Sequence, residues 1–596
     1  MRQVIATAGH VDHGKSTLIR ALTGSDPDRF AEEKQRGLTI DLGFAWTALP
    51  SGREVSFVDV PGHERFLGNM LAGLGPAPIV CFVIAADEGW SAQSSDHRDA
   101  IAALGIDQGI LVLTRLDLAP DGVEEVLAEA RRELAGTGLE DAPAVGVAST
   151  TGEGLDALRD TLDALVATAR EPSAQERVRL WVDRSFTIGG AGTVVTGTLA
   201  AGALTRGHRL ELCGEQRGGE VTVRGLQTRG DAVESIGPVN RVAVNLRGIG
   251  TDEIGRGDAL LTPGSWATSS LLDVRRVGGA GLADAPAELT VHIGTAAVPA
   301  RVRPLGEDHA RLTLSRALPL RVGDRMVLRG GGSASVRSGV QVLDLGPPRL
   351  ERRGDGTRRI RALEAMPATG DVGIEVSRRG AMRREHLART GIHVPSQLPT
   401  SVRAAGDWLV DAAALEDWAA GLRAQVEADR RADALSPGVP RKAAIDALDL
   451  PDPVLLDAVV DAADLRFWDG RVQDAQETSG LGAAETGIAE LERRLGDAPF
   501  RAPEADDLVQ LRLGARELAA AARQGRVLRL DGEVILLPSS PALAMRELAR
   551  LPQPFTASRA RQALGTTRRV MIPLLEHLDA RGWTRRVDAG HREIVR

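Results

Sequence analysis

Residues 6–17 read ATAGHVDHGKST, a short apolar run that breaks into a Gly-rich turn and ends in Lys-Ser-Thr. Gly9-His10-Val11-Asp12-His13-Gly14-Lys15-Ser16 fits the phosphate-loop pattern, and Thr17 follows it. Glycines at the two ends let backbone N–H groups turn inward on phosphates; Lys15 reaches the outer phosphates and the Ser16 hydroxyl is a Mg²⁺ ligand. Asp12, His13, Gly14, Lys15, Ser16 and Thr17 are therefore the first candidate nucleotide contacts. Working outward, VSFVDV (55–60), PIVCFVIAAD (78–87), QGILVLTRLD (108–117) and APAVGVAS (142–149) read as buried parallel strands, with helical spacing between them. Alternation of this kind predicts a doubly wound α/β domain over 1–170.

The chain of 596 residues is too long for one core, and its length suggests about four domains. Two cysteines, Cys81 and Cys213, exclude a disulfide framework and a Cys-based metal site, so a reducing, cytoplasmic setting is expected. No apolar run reaches membrane-spanning length, and no signal peptide fits before the phosphate loop. The net charge of −8 argues mildly against a nucleic-acid partner, but residues 401–500 carry 10 Arg and Lys against 20 Asp and Glu, whereas 551–596 carry 9 Arg against 4 acidic residues. A basic end after an acidic spacer is either a local nucleic-acid contact or a solvated charged face.

After the linker AREPSAQER (169–177), Val/Leu/Thr-rich runs such as GTVVTGTL, RVAVNLRGIG and GDRMVLRG recur between turn signals. They predict two β-barrels, over 177–265 and 266–347. From 350 to 596 the chain is Ala-, Leu- and Arg-rich, and a helix followed by two short strands recurs, as in LLDAVVDAADLRFWDGRVQ (455–473) and IPLLEHLDARGWTRRVDAGHREIV (572–595). About four winged-helix modules of ~60 residues fit this pattern, the last over 540–596; an assorted helical domain with surface hairpins is the alternative.

Three further pieces decide the base and the chemistry. DVPGHERF (59–66) ends a strand with Asp59, placed to hold Mg²⁺; the Gly62 N–H can meet a γ-phosphate, and His63 follows where an attacking water would sit. RGLTIDLGF (36–44) offers Thr39 as a switch residue that caps Mg²⁺ while γ-phosphate is present. TRLD (114–117) delivers Asp117, whose carboxylate accepts from the two guanine donors that adenine lacks, and Ser149 suits the guanine oxygen. The expected cofactors are GTP or GDP with Mg²⁺, the metal held by Ser16, Thr39 and Asp59.

GHVDHGKST, RGLTID, DVPGHERF and TRLD, followed by two barrels, resemble the translational GTPases of the tRNA-carrier type. The family's base-reading motif is Asn-Lys-x-Asp; here Thr114 and Arg115 replace its first two residues. The hydroxyl can still bond locally and the arginine stem can still cover the purine. The resemblance implies that His63 is the catalytic residue, positioning the hydrolytic water when the ribosome activates it, with Val11 and Leu38 as an apolar gate. No arginine finger is evident, so slow intrinsic hydrolysis with external activation is expected.

VDRSFTIGGAGTVVTG (182–197) resembles the start of the aminoacyl-binding barrel in these carriers: Asp183 and Arg184 stand where general carriers have an acidic pair, Phe186 and Thr196 match the pocket wall, and NLRGIG supplies Asn245 and Arg247. A guanidinium in that pocket needs an anion. Thiols titrate near about pH 8.5 and selenols well below, so Arg184, with Arg229 or Arg247, would favour a selenolate. For Arg229 and Arg247 a surface ion pair fits equally well. With the long C-terminal extension, this resembles the selenocysteine-specific branch, which implies selenocysteyl-tRNA, an mRNA hairpin and the ribosome as partners of a monomer. Arg568, Arg569, Arg585, Arg586, His591 and Arg592 would grip the RNA through phosphates and a flipped base. Rivals are an initiation-type carrier and, from another class, a winged-helix DNA-binding regulator with a nucleotide-sensing domain.

Overall fold

A computed structural model describes residues 2–27, 39, 41–63, 66–75, 77–119, 122–169, 172–190, 192–330, 335–433, 435–474 and 481–595. The chain divides into two compact units, Met1–Pro399 and Thr400–Arg596. No helix among the described residues is long and apolar enough to cross a membrane.

The first unit begins with β1 (Arg2–Ala8), α1 (Lys15–Thr23), β2 (Gly43–Ala48), β3 (Glu54–Asp59), α2 (Leu67–Leu74), β4 (Ile79–Ala85), α3 (Ala92–Leu104), β5 (Gly109–Thr114), α4 (Val123–Leu134), β6 (Ala144–Gly146) and α5 (Leu155–Thr168). The sheet order is β2-β3-β1-β4-β5-β6, all parallel except β2, which runs antiparallel to β3. Strand β4 is buried along its whole length, as a central strand covered by helices on both faces requires. Separate apolar clusters lie on the two faces, one around Phe82, Met70 and Leu111, the other around Phe57, Ile19 and Leu158. The loops at the carboxyl ends of β1, β3, β5 and β6 converge, as expected of ligand sites in open α/β sheets.

Eight strands follow in one curved sheet whose path ends at β7 (Arg179–Trp181) and β8 (Arg184–Ile188). These two are consecutive in the chain: Val182 N–H donates to Asp258 O on one side and Asp183 N–H to Thr196 O on the other, so one bent segment closes the barrel. Its other six strands are β9 (Gly192–Leu199), β11 (Arg209–Cys213), β12 (Gly218–Thr228), β13 (Asp231–Val233), β15 (Asn240–Arg247) and β16 (Ala259–Leu261); β10 (Leu204–Thr205) and β14 (Ser235–Ile236) form a separate two-stranded pair. A closed six-stranded barrel comes next, from β17 (Ala267–Gly279) to β22 (Val336–Asp344).

The compact unit does not stop at the boundary expected near 350. Two helices, Asp355–Glu364 and Val372–Arg379, are clasped to the second barrel by a buried ion network. Asp273 accepts from Arg311 (2.7 and 3.0 Å) and Arg359 (2.7 Å), while Asp344 accepts from Arg359 (2.6 Å) and pairs with Arg378 (3.0 Å). All but Arg378 are at least nine-tenths buried. Removing one partner of such a network strands a buried charge, a cost of about 3–5 kcal/mol.

The second unit repeats helices with small hairpins. Hairpins span Val402–Ala405 with Trp408–Asp411, Leu465–Trp468 with Arg471–Asp474, Leu528–Leu530 with Val534–Leu536, and Thr584–Arg586 with His591–Ile594. The division expected at 540 does not separate two cores. Leu481, Ile488 and Leu491 share one apolar cluster with Phe555, Val570 and Leu574, and Thr566 and Arg569 donate to the carbonyls of Phe500 and Pro503.

Candidate functional site

The phosphate loop leaves β1 at Ala8 and enters α1 at Lys15. Gly14 caps the helix at φ 80°, a left-handed conformation that costs a side-chain-bearing residue free energy. Gly62 approaches so closely that a Cβ there would lie 2.5 Å from Val11 N and 2.7 Å from Lys15 Nζ. A cavity of about 620 Å³ opens here, lined by all the expected nucleotide residues except His13, together with Thr39 and Thr150. Lys15 Nζ donates to the carbonyls of Gly9 (3.1 Å) and His10 (2.6 Å).

Three hard oxygen donors meet at the cavity's edge. Ser16 Oγ donates to Asp59 Oδ2 (2.6 Å) and lies 3.1 Å from Thr39 Oγ1. Thr7 Oγ1 holds the other Asp59 oxygen at 2.8 Å and accepts from Val60 N–H. An all-oxygen set of two hydroxyls and a carboxylate fits Mg²⁺ chemistry. At the opposite end Asp117 accepts from Thr150 (3.2 Å), and Ser149 lines the cavity beside them.

His13 is corrected, since its side chain leaves the cavity wall, while Thr114 and Arg115 line the cavity with their polar ends engaged by the protein. The His13 ring is turned away from the cavity, 3.4 Å from Val83 O and 3.6 Å from Glu88, and burial pushes its pKa down to about 4. Only its backbone serves the loop. The Thr114 hydroxyl is engaged by His13 O (2.7 Å) and Ile84 O (3.3 Å), so it straps the loop to β5. The Arg115 guanidinium bridges Asp87 (3.0 Å), Glu88 (2.6 Å) and Asp12 O. His63 follows Gly62 but does not line the cavity; its ring lies 6.0 Å from that of Phe66. Leu38 lies outside the described residues.

Sequence reading missed a second strap. On α3, His97 Nδ1 accepts from Gly9 N–H (2.9 Å) and Gln93 Oε1 from Val11 N–H (3.3 Å). The two side chains stand one helical turn apart and face the same way, which is the only signal the sequence offered. His97 is buried, and its pKa falls to about 3, first through burial and then through Lys15, His10 and His13.

A second cavity, about 340 Å³, lies between β2–β3 and the first barrel, walled by Phe44, Trp46, Val58, Arg184, Thr196, Arg229 and Arg241. Asp183 is buried beside it; both terminal nitrogens of Arg241 pair with its carboxylate and Thr196 donates to it (2.6 Å). Burial pushes the Asp183 carboxyl up, but Arg241 and Thr196 more than reverse this and hold it below the usual range. The Arg241 guanidinium sits 3.7 Å over the Phe44 ring, a cation–π contact. Arg184 Nη2 donates to Leu42 O (2.8 Å) and pairs with Asp41 (2.8 Å).

Phe186, Asn245 and Arg247 do not join this cavity, which corrects the expected pocket. The strand register pairs both Phe186 and Asn245 with Val194, two residues beyond Thr196. Along β15, Asn245 and Arg247 lie roughly 13 and 20 Å past Arg241 at about 3.3 Å per residue. Arg229 is spent on an ion pair with Glu54. Arg241, Phe44 and Trp46, which do line the cavity, went unnoticed.

In the last hairpin most of the expected RNA-binding cations are committed to acids. Arg592 is only 8% exposed and donates to Asp579 (2.9 Å), which also accepts from Thr584, so it is corrected to a structural residue. Arg585 pairs with Glu593, Arg586 with Glu576 (3.4 Å) and Asp579 (3.6 Å), His591 with Asp588 (3.0 Å), and Arg569 with Glu504 (3.1 Å). Arg568 is exposed and has no ion-pair partner among the described residues.

Residues 2–168 match the family model "Elongation factor Tu GTP binding domain". With the barrels behind it, this site defines a translational GTPase, which binds guanine nucleotide and hydrolyses GTP. Residues 282–349 match "Selenocysteine-specific elongation factor, beta-barrel domain" and 546–592 match "Elongation factor SelB, winged helix". The selenocysteine-specific elongation factor of Escherichia coli (strain K12) is 31% identical over 623 aligned positions, spanning 99% of this chain and 98% of that one. The one from Desulfomicrobium baculatum is 37% identical over 386, spanning 62% of this chain and 60% of that relative. A crystal structure of a bacterial selenocysteine-specific elongation factor superposes along the whole of both chains with a TM-score of 0.77 at 26% identity. The chain belongs to the selenocysteine-specific elongation factors.

Proposed function

We propose that the chain carries selenocysteyl-tRNA to the ribosome in its GTP form and binds an mRNA hairpin through its C-terminal winged helices. The observation that supports this most is the cavity where Arg184 and Arg241 stand beside the aromatic walls Phe44 and Trp46. Arg241 is neutralised by Asp183; Arg184 keeps Nε and Nη1 outside its contacts with Asp41 and Leu42 among the described residues. A selenocysteine side chain is anionic at neutral pH, whereas serine is neutral and a thiol titrates near about 8.5. A charge-assisted contact in so small a cavity discriminates by about 2–3 kcal/mol, roughly a hundredfold.

In this reading Asp117 and Ser149 hold guanine, Lys15 and the loop amides of residues 12–17 hold the phosphates, and Gly62 N–H meets the terminal phosphate. Ser16, Thr39 and Asp59 would hold Mg²⁺, which neutralises phosphate charge when bound. His63 orients the attacking water once the ribosome has moved it toward the cavity. Arg568 on the exposed face of the last module contacts RNA phosphate. The test is protection of the aminoacyl ester against hydrolysis, with GTP present, comparing selenocysteyl-tRNA with the same tRNA charged with serine. Protection of the selenocysteyl ester at a concentration about a hundredfold lower is expected; equal protection of the two would refute the cargo assignment.

A further inference from the structure

Asp41 stands two residues beyond Thr39, and Thr39 is nine-tenths buried with its hydroxyl 3.1 Å from Ser16 Oγ. From the same stretch, the Asp41 carboxylate and the Leu42 carbonyl both hold Arg184 Nη2 at 2.8 Å. Phe44, at the start of β2, lies under the guanidinium with its ring centre 5.6 Å away. Three groups within four residues therefore fix one arginine, and all three follow directly from the residue that meets the Mg²⁺-binding hydroxyl. Resting on the cargo reading above, we infer that Asp41 is a positioning residue that couples the nucleotide site to cargo selection by aiming Arg184 into the cavity while Thr39 is docked on Ser16.

The physical argument is one of orientation. Arginine loses much rotamer freedom when it is fixed, and a contact that must discriminate a selenolate from a hydroxyl needs that loss met before cargo arrives. Both polar contacts fall on Nη2, which leaves the other edge of the guanidinium for a ligand. Arg184 and Asp41 are each about one-quarter exposed (25% and 27%), so the ion pair is screened and contributes little by its own attraction. Its effect lies in direction. When Thr39 leaves Ser16, Arg184 loses both acceptors together, and discrimination goes with them.

The experiment measures the affinity of full-length protein for selenocysteyl-tRNA and for the same tRNA charged with serine, each with a non-hydrolysable GTP analogue and with GDP. With the GTP analogue, Asp41→Ala is expected to reduce the preference for selenocysteine about tenfold, toward the value for Arg184→Ala, and the double variant to show no further loss. Asp41→Asn keeps an acceptor for Nη2 and is expected to retain at least about threefold more preference than Asp41→Ala. In GDP the Asp41 variants are expected to match the wild type. Should Arg184→Ala abolish the preference while Asp41→Ala leaves it intact or raises it, the coupling falls and the cargo reading stands. Should the wild type show no preference, or Arg184→Ala keep it, both fall.

Discussion

Lowering the pH tests whether α3 holds the phosphate loop. His97 accepts from Gly9 N–H through Nδ1 (2.9 Å), which requires that nitrogen to be unprotonated. In the folded loop its pKa is pushed down to about 3 by burial and by Lys15, His10 and His13, against 6.5 for an ordinary histidine. The open form of the loop takes up a proton below 6.5 while the closed form resists until about 3, so this stabilisation is complete above 6.5 and is lost progressively as pH falls. At about pH 5 the loss from His97 alone is about 2 kcal/mol, roughly thirtyfold in the opening equilibrium. Hydrogen exchange of a peptide covering the loop, at neutral pH and at pH 5 with the intrinsic pH dependence divided out, reads it directly. His97→Gln keeps an acceptor and removes the titration, so its protection is expected to fall about thirtyfold less than that of the wild type, while His13 contributes equally to both. Identical pH dependences in the two proteins would refute the strap.

Two other substitutions separate function from folding. His63→Ala is expected to leave GTP binding within about twofold and to cut ribosome-stimulated turnover by a factor of 100 or more, on the order of the loss from a residue that orients the nucleophile; single-turnover hydrolysis with and without ribosomes checks it. Arg592→Ala is expected to destabilise the last module by about 2–3 kcal/mol, seen in thermal unfolding, because it leaves Asp579 with less compensation, whereas Arg568→Ala is expected to spare stability and lower the salt dependence of RNA-hairpin binding by about one ion.

The phosphate loop, Asp59, Asp117 and Ser149 were legible because each sits at the end of a buried strand, and consecutive residues there fix both conformation and chemistry. The barrels and hairpins were legible through turn spacing. What escaped depends on register and on contacts between distant segments. Nothing in NRVAVNLRG distinguishes Arg241 from Arg247, which share one face of β15; only the pairing of Ala243 with Thr196 decides which end meets the cavity. Arg359 carries no mark of burial, since its partners Asp273 and Asp344 lie 86 and 15 residues away. His97 and Gln93 look like ordinary polar positions on an amphipathic helix until the loop they hold, more than 80 residues earlier, is set against them.

The composition links these hidden contacts. Of the 73 cationic residues only Lys15, Lys34 and Lys442 are lysines, and a guanidinium, unlike an ammonium, can serve two acceptors at once in a fixed plane. The fold uses that property repeatedly: Arg311 on Asp273, Arg359 on Asp273 and Asp344, Arg241 on Asp183, Arg179 on Asp324. A count of basic residues therefore overstates the charge presented to RNA or cargo. In the last module most of the expected cations are already balanced by acids, leaving Arg568 as the exposed one without an ion pair among the described residues. In the second cavity Arg241 is balanced by Asp183 in the same way, so under the proposed cargo reading selection would fall to Arg184. Arg184 differs because its acid belongs to the stretch that follows Thr39. That placement is what the proposed coupling needs, and a contact made with the barrel's own residues would not supply it.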